Sequence, residues 1–331
     1  MNSKIFSLSS SVTADVNHLI HDSNLKYING SSLSPFPAQS IRVGRAGGLP
    51  FDSLTTDVVS GCLSERQACY GICFAAQSAW TRGIDFGKRV ANELNPELVA
   101  QDLARLPTTQ RYLRNGWNSD PSWDWITALN LGKLVHQSGR LIIFITKSFT
   151  HIAHATLAGL AAIGAEMRVS ISALDNASQL LRRLKFIQDY RAAGGTVVPI
   201  LMTAVYRENQ LDARQRDLVA WLCDHDLPAA ENSLRFPLNS SIVDVIDLKK
   251  TRRIHATDDV WSGRLYDDKL IFPTTTTIPD WYEGIPSSYL SQLDASFIES
   301  LFIDPVMTHE QVMGASNELR HPHQCGVAMS K

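Results

Sequence analysis

From about residue 58, the chain alternates short apolar runs of strand length with amphipathic stretches of helical length. Two of these runs, LIIFIT at 141–146 and TVVPILM at 196–202, are continuous and rich in β-branched residues. Such runs are typical of strands buried on both faces, as in a parallel sheet covered by helices. By the same criteria, the sequence predicts further strands at 58–61, 112–116, 167–172 and 229–236.

Helical patterns occupy the segments between these runs. In 176–193, Leu180, Leu184 and Ile187 form one apolar stripe along a predicted helix. Strands that alternate with helices in this way form parallel βα units. The predicted fold is therefore α/β, a partial (β/α)6 barrel. Two further helices are predicted at 121–138 and 151–162.

The same pattern divides the chain into three regions. Residues 1–57 are polar and rich in turn-forming residues, which predicts an irregular N-terminal extension. The barrel is predicted over 58–248, and the region 249–331, where the pattern weakens, is expected to cap it. In barrels of parallel βα units, catalytic residues lie at the carboxyl ends of the strands. Candidate residues are therefore sought in the segments that follow the predicted strands.

Composition and charge narrow the classes of function. Hydrophobic residues make up 44% and charged residues 19% of the 331 residues, which predicts a large core rather than general disorder. A net charge of −2 does not indicate nucleic acid or an anionic membrane as a partner. No apolar run reaches the ~18–20 residues of a membrane span, and the N-terminal segment lacks the apolar stretch of a signal peptide. We therefore expect a cytoplasmic protein.

Three of the five cysteines, Cys62, Cys69 and Cys73, fall within twelve residues and directly follow the first predicted strand. Three thiolates on one loop can bind one soft metal centre. A structural zinc site normally has four ligands, whereas three cysteines suit a 4Fe-4S cluster that leaves one iron open. We favour the cluster. A zinc site completed by a distant histidine, or three cysteines that only pack in a core, are the alternatives.

The other two cysteines lie far from this loop. Cys223 falls in a predicted helix and is interpreted as a small buried hydrophobic residue. Cys325 closes a short segment with His321 and His323 that has the composition of a metal site. Its position in the C-terminal tail favours a capping or disordered tail over a second metal centre. Neither Cys223 nor Cys325 is expected to be a ligand of the three-cysteine centre.

The cysteine loop, the succession of βα units and the segment Asn115-Gly-Trp-Asn-Ser-Asp-Pro121 together resemble the radical S-adenosylmethionine enzymes. The nearest likeness is to the spore-photoproduct-lyase-like branch and a phage-associated group of uncharacterised function. The resemblance covers about residues 58–240. Two features depart from the family pattern. The cysteines are more widely spaced, with six and three intervening residues, and the aromatic Phe74 follows the last cysteine instead of preceding it.

The resemblance implies two cofactors, a 4Fe-4S cluster and S-adenosyl-L-methionine, and an electron donor such as a flavodoxin or a ferredoxin. Cleavage of S-adenosylmethionine would yield a 5′-deoxyadenosyl radical that acts on a substrate the sequence does not identify. The alternative is a non-catalytic iron–sulfur or zinc-binding module with a redox-sensing or structural role. A structural site is closed by a fourth protein ligand, whereas an enzyme keeps a cofactor-sized cavity open.

Residues that follow the strands are the candidates for cofactor binding. Lys147 can pair with a carboxylate at the mouth of a barrel, and a surface lysine is the alternative. Asp120, before Pro121, suits a helix N-cap as well as a ligand contact. Glu231 and Arg235 are expected either to form a functional pair or to face solvent. The predicted cofactor-binding residues are Asn115, Gly116, Asn118, Lys147, Ser170, Ser172 and Met202. For Ser170 and Ser172, hydroxyl groups that bond only to the backbone are the alternative.

Overall fold

The structure is a computed structural model, and it describes residues 33–44, 53–63, 69, 73–108, 110–237, 241–253, 259–266 and 269–270. Its centre is a parallel sheet of five strands that curls into a half-barrel surrounded by helices. The predicted α/β class and the partial-barrel character are thereby confirmed. No helix in the described ranges is both long enough and apolar enough to cross a membrane.

The main sheet is preceded by a short antiparallel pair of strands, β1 (Val59–Ser60) and β2 (Val90–Ala91). Helices α1 (Phe74–Thr81) and α2 (Pro96–Arg105) lie before and after β2 in the chain. Neighbouring strands of the main sheet follow the chain order, and each pair is parallel. These strands are β3 (Tyr112–Asn115), β4 (Leu141–Thr146), β5 (Glu166–Ser172), β6 (Thr196–Thr203) and β7 (Ala230–Ser233).

Helices connect the strands of the main sheet, as the sequence predicts. They are α3 (Trp125–Gln137), α4 (His154–Ala162), α5 (Ala177–Ala192) and α6 (Asn209–Asp224). A second, antiparallel sheet follows, in which β10 (Asp259–Trp261) lies between β8 (Arg235–Pro237) and β9 (Arg252–Arg253).

The core lies between the half-barrel and its helices. Every residue of β5 is buried, although its sequence, EMRVSIS, alternates polar and apolar residues. The predicted stripe of α5, Leu180, Leu184 and Ile187, is fully buried in the same core. Asn176 begins this helix, because its side chain accepts a hydrogen bond from the Gln179 N–H. The apolar stripe of α5 therefore positions this helix against the sheet.

The first predicted strand does not join the main sheet. Within 58–61, the structure has only the two-residue β1, which pairs in antiparallel fashion with β2. The segment next to β3 lies earlier in the chain: the Arg114 N–H donates to the Ser53 carbonyl (2.5 Å), and the Thr55 N–H donates to the Arg114 carbonyl (2.9 Å). The prediction was wrong here because two or three residues of backbone pairing leave no distinctive apolar run.

The other predicted boundaries differ mainly at the last strand. The range 229–236 contains β7, a break at Leu234, and the start of β8, which belongs to the second sheet. The predicted strands at 112–116, 141–146, 167–172 and 196–202 are confirmed to within one residue at each end. The N-terminal extension reaches into the core, since Ile41 and Val43 are almost completely buried there. Most of the predicted cap lies outside the described residues.

Candidate functional site

A cavity of about 340 Å³ opens at the carboxyl ends of the parallel strands, and Cys62, Cys69 and Cys73 all contribute to its wall. This is the edge at which chemistry is expected in βα architectures. Strands β4, β5 and β6 and the turn after β3 supply the facing wall. The predicted site residues that line it are Gly116, Asn118, Lys147, Ser170 and Met202.

Cys62 is the most deeply buried of the three cysteines, at 7% exposure. The Trp123 indole N–H donates a hydrogen bond to its sulfur at 3.1 Å, and the Arg89 guanidinium donates to its carbonyl at 3.2 Å. Burial raises the pKa of the Cys62 thiol well above its usual value, and the nearby Cys69 raises it further. The thiol is therefore neutral at pH 7 unless a positive centre binds it.

Cys69 and Cys73 are half-buried on the opposite part of the loop. Burial raises the pKa of Cys69 to about 11, and the cation of Lys147 opposes that shift. Cys73 is the N-cap residue of α1, and its sulfur accepts no capping hydrogen bond of ordinary geometry from the backbone N–H groups of the helix. Its pKa is also raised by burial, and the N–H groups of Ala76 and Ala75 only partly offset this rise. All three thiols thus share a desolvated environment that a metal centre would convert to thiolates.

Asp57 shapes the turn after β3, and sequence reasoning missed it. Its carboxylate accepts hydrogen bonds from three successive backbone N–H groups, those of Gly116 (2.8 Å), Trp117 (3.1 Å) and Asn118 (2.8 Å). Burial raises the pKa of Asp57, and these N–H groups oppose the rise. The turn therefore lies against the cavity in one conformation. An acidic residue just after a strand-like segment is the signal that could have identified it.

Gly116 is required in this turn for two reasons. Its φ is +93°, and a Cβ atom at this position would lie 2.1 Å from the Ile145 carbonyl oxygen. A larger residue would therefore meet the backbone of β4 as well as a strained conformation. The close approach that the structure shows at this glycine is to the neighbouring strand β4.

Asp120 fixes the next part of the site. One oxygen accepts from the Ser122 N–H (2.9 Å) and the Thr146 hydroxyl (2.7 Å), and the other accepts from the Lys147 N–H (2.6 Å). The helix-capping interpretation of Asp120 is therefore confirmed. The same carboxylate ties the 3-10 turn Pro121–Asp124 to the end of β4.

Lys147 lines the cavity, with its side chain partly buried. Burial lowers the pKa of its ammonium group, and Cys69 opposes this shift. Its backbone is held from both sides, since its carbonyl accepts from Arg183 at 2.7 Å while its N–H donates to Asp120. Arg183 also pairs with the buried Asp175. Lys147 is therefore a partly buried residue of the cavity wall and not a surface lysine.

Two predicted cofactor contacts, Asn115 and Ser172, are directed elsewhere. The fully buried Asn115 amide donates to the Thr55 hydroxyl (2.8 Å) and the Thr56 carbonyl (3.1 Å), so it joins β3 to the preceding segment. The Ser172 hydroxyl accepts from the Leu174 N–H at 3.1 Å, within the turn that follows β5. Ser170 keeps the expected place on the cavity wall, and Ser172 does not share it.

The expectation for Glu231 and Arg235 is corrected. The buried Glu231 accepts from the Thr203 hydroxyl (2.6 Å) and from the N–H groups of Leu265 (2.7 Å) and Tyr266 (2.8 Å). Arg235 instead pairs with Asp259 at 2.8 Å, between β8 and β10. The two residues therefore have separate partners, because the break at Leu234 carries Arg235 into the second sheet.

Cys223 also differs from its prediction, since it is exposed on α6 and not buried. Successive residues of a helix point in different directions. Leu222 faces the core, whereas Cys223 and Asp224 lie on the exposed side of α6. Among the described residues it is not part of the cavity wall. The predicted tail motif of His321, His323 and Cys325 lies outside the described residues.

Comparison of the chain with models of protein families gives no match, and comparison with curated proteins gives no match either. Within the described ranges, no group of three or more His, Cys, Asp or Glu side chains is arranged to hold a single metal ion. The three cysteines instead border a common cavity.

Proposed function

We propose that this chain is a radical S-adenosylmethionine enzyme built on a partial (β/α)6 barrel. In this proposal, the segment at 53–56, which lies beside β3, takes the place of the barrel's first strand and completes the set of six. The observation that supports it most is the shared cavity: three cysteines of one loop border the same volume as Gly116, Lys147 and Met202, which lie at the ends of β3, β4 and β6. Its volume of about 340 Å³ is in the lower part of the range for small-molecule sites.

Cys62, Cys69 and Cys73 would hold a 4Fe-4S cluster. When bound, such a cluster supplies the electron that splits S-adenosylmethionine into methionine and a 5′-deoxyadenosyl radical. The protein supplies desolvation, since burial dominates the environment of all three thiols. Water exclusion of this kind protects a reactive species from side reactions.

The remaining wall residues have distinct roles in binding S-adenosylmethionine. The ammonium group of Lys147 pairs with the methionine carboxylate, a contact strengthened by the partial burial of this side chain. The backbone at Gly116 borders the ligand cavity while it packs against β4, and the Asp57 carboxylate keeps that turn in place. Met202 offers an apolar surface for the adenine ring, and Ser170 offers a hydroxyl group.

A non-catalytic cluster or zinc module is the competing function, and it requires a fourth protein ligand. Among the described residues of the cavity wall, Asp120 is the carboxylate that could serve as this ligand. Both of its oxygens, however, already accept hydrogen bonds from the protein. The open cavity in front of the cysteines therefore favours the enzyme. A flavodoxin or ferredoxin is proposed as the electron donor, and the substrate is left unassigned.

The test is anaerobic reconstitution with iron and sulfide, followed by an assay for 5′-deoxyadenosine after reduction in the presence of S-adenosylmethionine. The wild-type protein should bind about four irons and form 5′-deoxyadenosine. Serine at Cys62, Cys69 or Cys73 should abolish both, whereas the exposed Cys223→Ser control should preserve both. A wild-type protein that binds the cluster but never cleaves S-adenosylmethionine would favour the non-catalytic module.

A further inference from the structure

We propose that Trp123 is a positioning residue for the cysteine centre, whose indole N–H holds the Cys62 sulfur and raises the reduction potential of the bound cluster. This inference rests on the proposed function. It concerns a residue outside the three-cysteine loop. The indole nitrogen lies 3.1 Å from the sulfur, a short distance for a bond to sulfur.

The position of Trp123 is set by three kinds of contact. Its backbone belongs to the 3-10 turn Pro121–Asp124, which Asp120 caps. The ring stacks on Phe149 with centroids 5.2 Å apart and an interplanar angle of 7°. On the cysteine side, the Arg89 guanidinium carbon lies 3.9 Å from the ring centroid. A ring held in this way keeps its N–H directed at one atom.

A hydrogen bond donated to a cysteine sulfur that binds the cluster stabilises negative charge on that sulfur. Reduction adds one electron, and part of that negative charge is carried by the cysteine sulfurs. An N–H donor therefore stabilises the reduced state more than the oxidised state, and the potential rises. Arg89 adds in the same direction, since its cation lies over the donor ring and also donates to the Cys62 carbonyl.

Trp125, two residues away, provides a matched control. It is also an indole stacked on a phenylalanine, Phe186, with centroids 5.5 Å apart. Its N–H has no hydrogen-bond partner among the described residues, and its ring packs in the main core. Replacing either tryptophan by phenylalanine thus removes a similar amount of ring, but only Trp123→Phe removes a donor to a cysteine.

The experiment is an anaerobic redox titration of the reconstituted protein, monitored by electron paramagnetic resonance. At a fixed applied potential, Trp123→Phe should lower the ratio of reduced to oxidised cluster about tenfold, or about 59 mV for one electron, at unchanged iron content. Trp125→Phe should leave the ratio unchanged. Arg89→Gln should lower it in the same direction, and Arg89→Lys, which keeps the charge, should restore part of it.

A second substitution at position 123 separates the effect of the N–H donor from that of the shape of the ring. Benzothienylalanine at position 123 keeps the bicyclic ring and replaces the N–H by sulfur, so it should reproduce the lowered ratio even if the phenylalanine variant fails to hold iron. An unchanged ratio in this protein, or an equal shift in Trp125→Phe, overturns the inference alone. A wild-type protein that takes up no iron overturns the proposed function and this inference with it.

Discussion

Asp57, which was not singled out from the sequence, holds the turn after β3 in place. Its carboxylate accepts three backbone N–H groups of the turn that faces the cysteines, from a position with only 7% exposure. A carboxylate is suited to this because it is acceptor-only when ionised, with lone pairs on both oxygens. The turn is thus positioned by charge-assisted hydrogen bonds and not by apolar packing.

Asp57→Asn is expected to lower the free energy of unfolding at pH 7 by about 1.5–3 kcal/mol. The substituted amide presents N–H groups toward backbone donors, so at least one of the present hydrogen bonds must be lost. Urea unfolding measures the change. The exposed Asp244→Asn is the control and should remain within about 0.5 kcal/mol of wild type. Equal stability of the two variants would contradict the role assigned to Asp57.

Substitutions at Gly116 and Gly139 can be compared to distinguish the cost of backbone strain from the cost of steric overlap. Both have positive φ, +93° and +76°, but a Cβ at Gly139 would meet nothing within 4 Å, whereas at Gly116 it would overlap Ile145. Gly139→Ala should cost about 1–2 kcal/mol from strain, and Gly116→Ala about 3 kcal/mol or more once overpacking is added. Denaturant unfolding of both proteins tests the difference, and equal losses would show that the turn can move away from β4.

The end of β5 and helix α5 are joined by a buried ion pair. Asp175, at 1% exposure, pairs with Arg183, at 2%, and also accepts the Ser172 N–H at 2.9 Å. Arg183 in turn donates to the Lys147 carbonyl, so this helix holds two strand ends at the cavity. The pairing explains why Asp175 does not cap α5, a role that Asn176 takes.

Arg183→Met should destabilise the protein by about 3–5 kcal/mol, because it leaves a buried carboxylate without its cation. The exposed pair of Lys185 and Asp189 on the same helix is the control, and Lys185→Met should cost no more than about 0.5 kcal/mol. Adding Asp175→Asn to Arg183→Met should cost less than the sum of the single changes. Additive losses measured by urea unfolding would show that the pair does not act as a unit.

Lys147 directly follows β4, and its substitution tests the proposed cofactor site. Lys147→Ala should weaken S-adenosylmethionine binding by about 1.5–3 kcal/mol, the usual contribution of a charged hydrogen bond, without changing iron content. Calorimetry on the reconstituted protein measures the affinity, with Lys185→Ala as the exposed control. Wild-type affinity in Lys147→Ala would remove this residue from the cofactor site while leaving the cluster assignment intact.

Ligand binding at the proposed site is linked to the stability of the whole molecule. Only the folded chain brings the cysteine loop and four strand ends together, so S-adenosylmethionine should stabilise the reconstituted protein. At one hundred times its Kd, the gain is about 2.7 kcal/mol, or roughly 4 °C in Tm for a chain of this size. Calorimetric melting should show no shift for a triple variant with serine at Cys62, Cys69 and Cys73.

The order and type of the elements could be predicted from the sequence because they depend on local periodicity. The continuous apolar runs at 141–146 and 196–202 become β4 and β6, and the stripe of Leu180, Leu184 and Ile187 becomes the buried face of α5. Because such features depend on residues close together in the sequence, they can be predicted without knowledge of the fold. The clustering of cysteines on a loop at the strand ends was equally visible.

Only the tertiary structure decided which polar residues face the cavity. Asp57 lies about sixty residues before the turn it holds, and Trp123 lies 61 residues beyond the sulfur it contacts. Asn115 and Ser172 are adjacent to the site in sequence, yet their side chains bond to neighbouring backbone and hydroxyl groups. Hydrogen bonding is directional and satisfied by whichever partner folding brings near. Periodicity therefore determines the elements, whereas long-range pairing determines the chemistry at their ends.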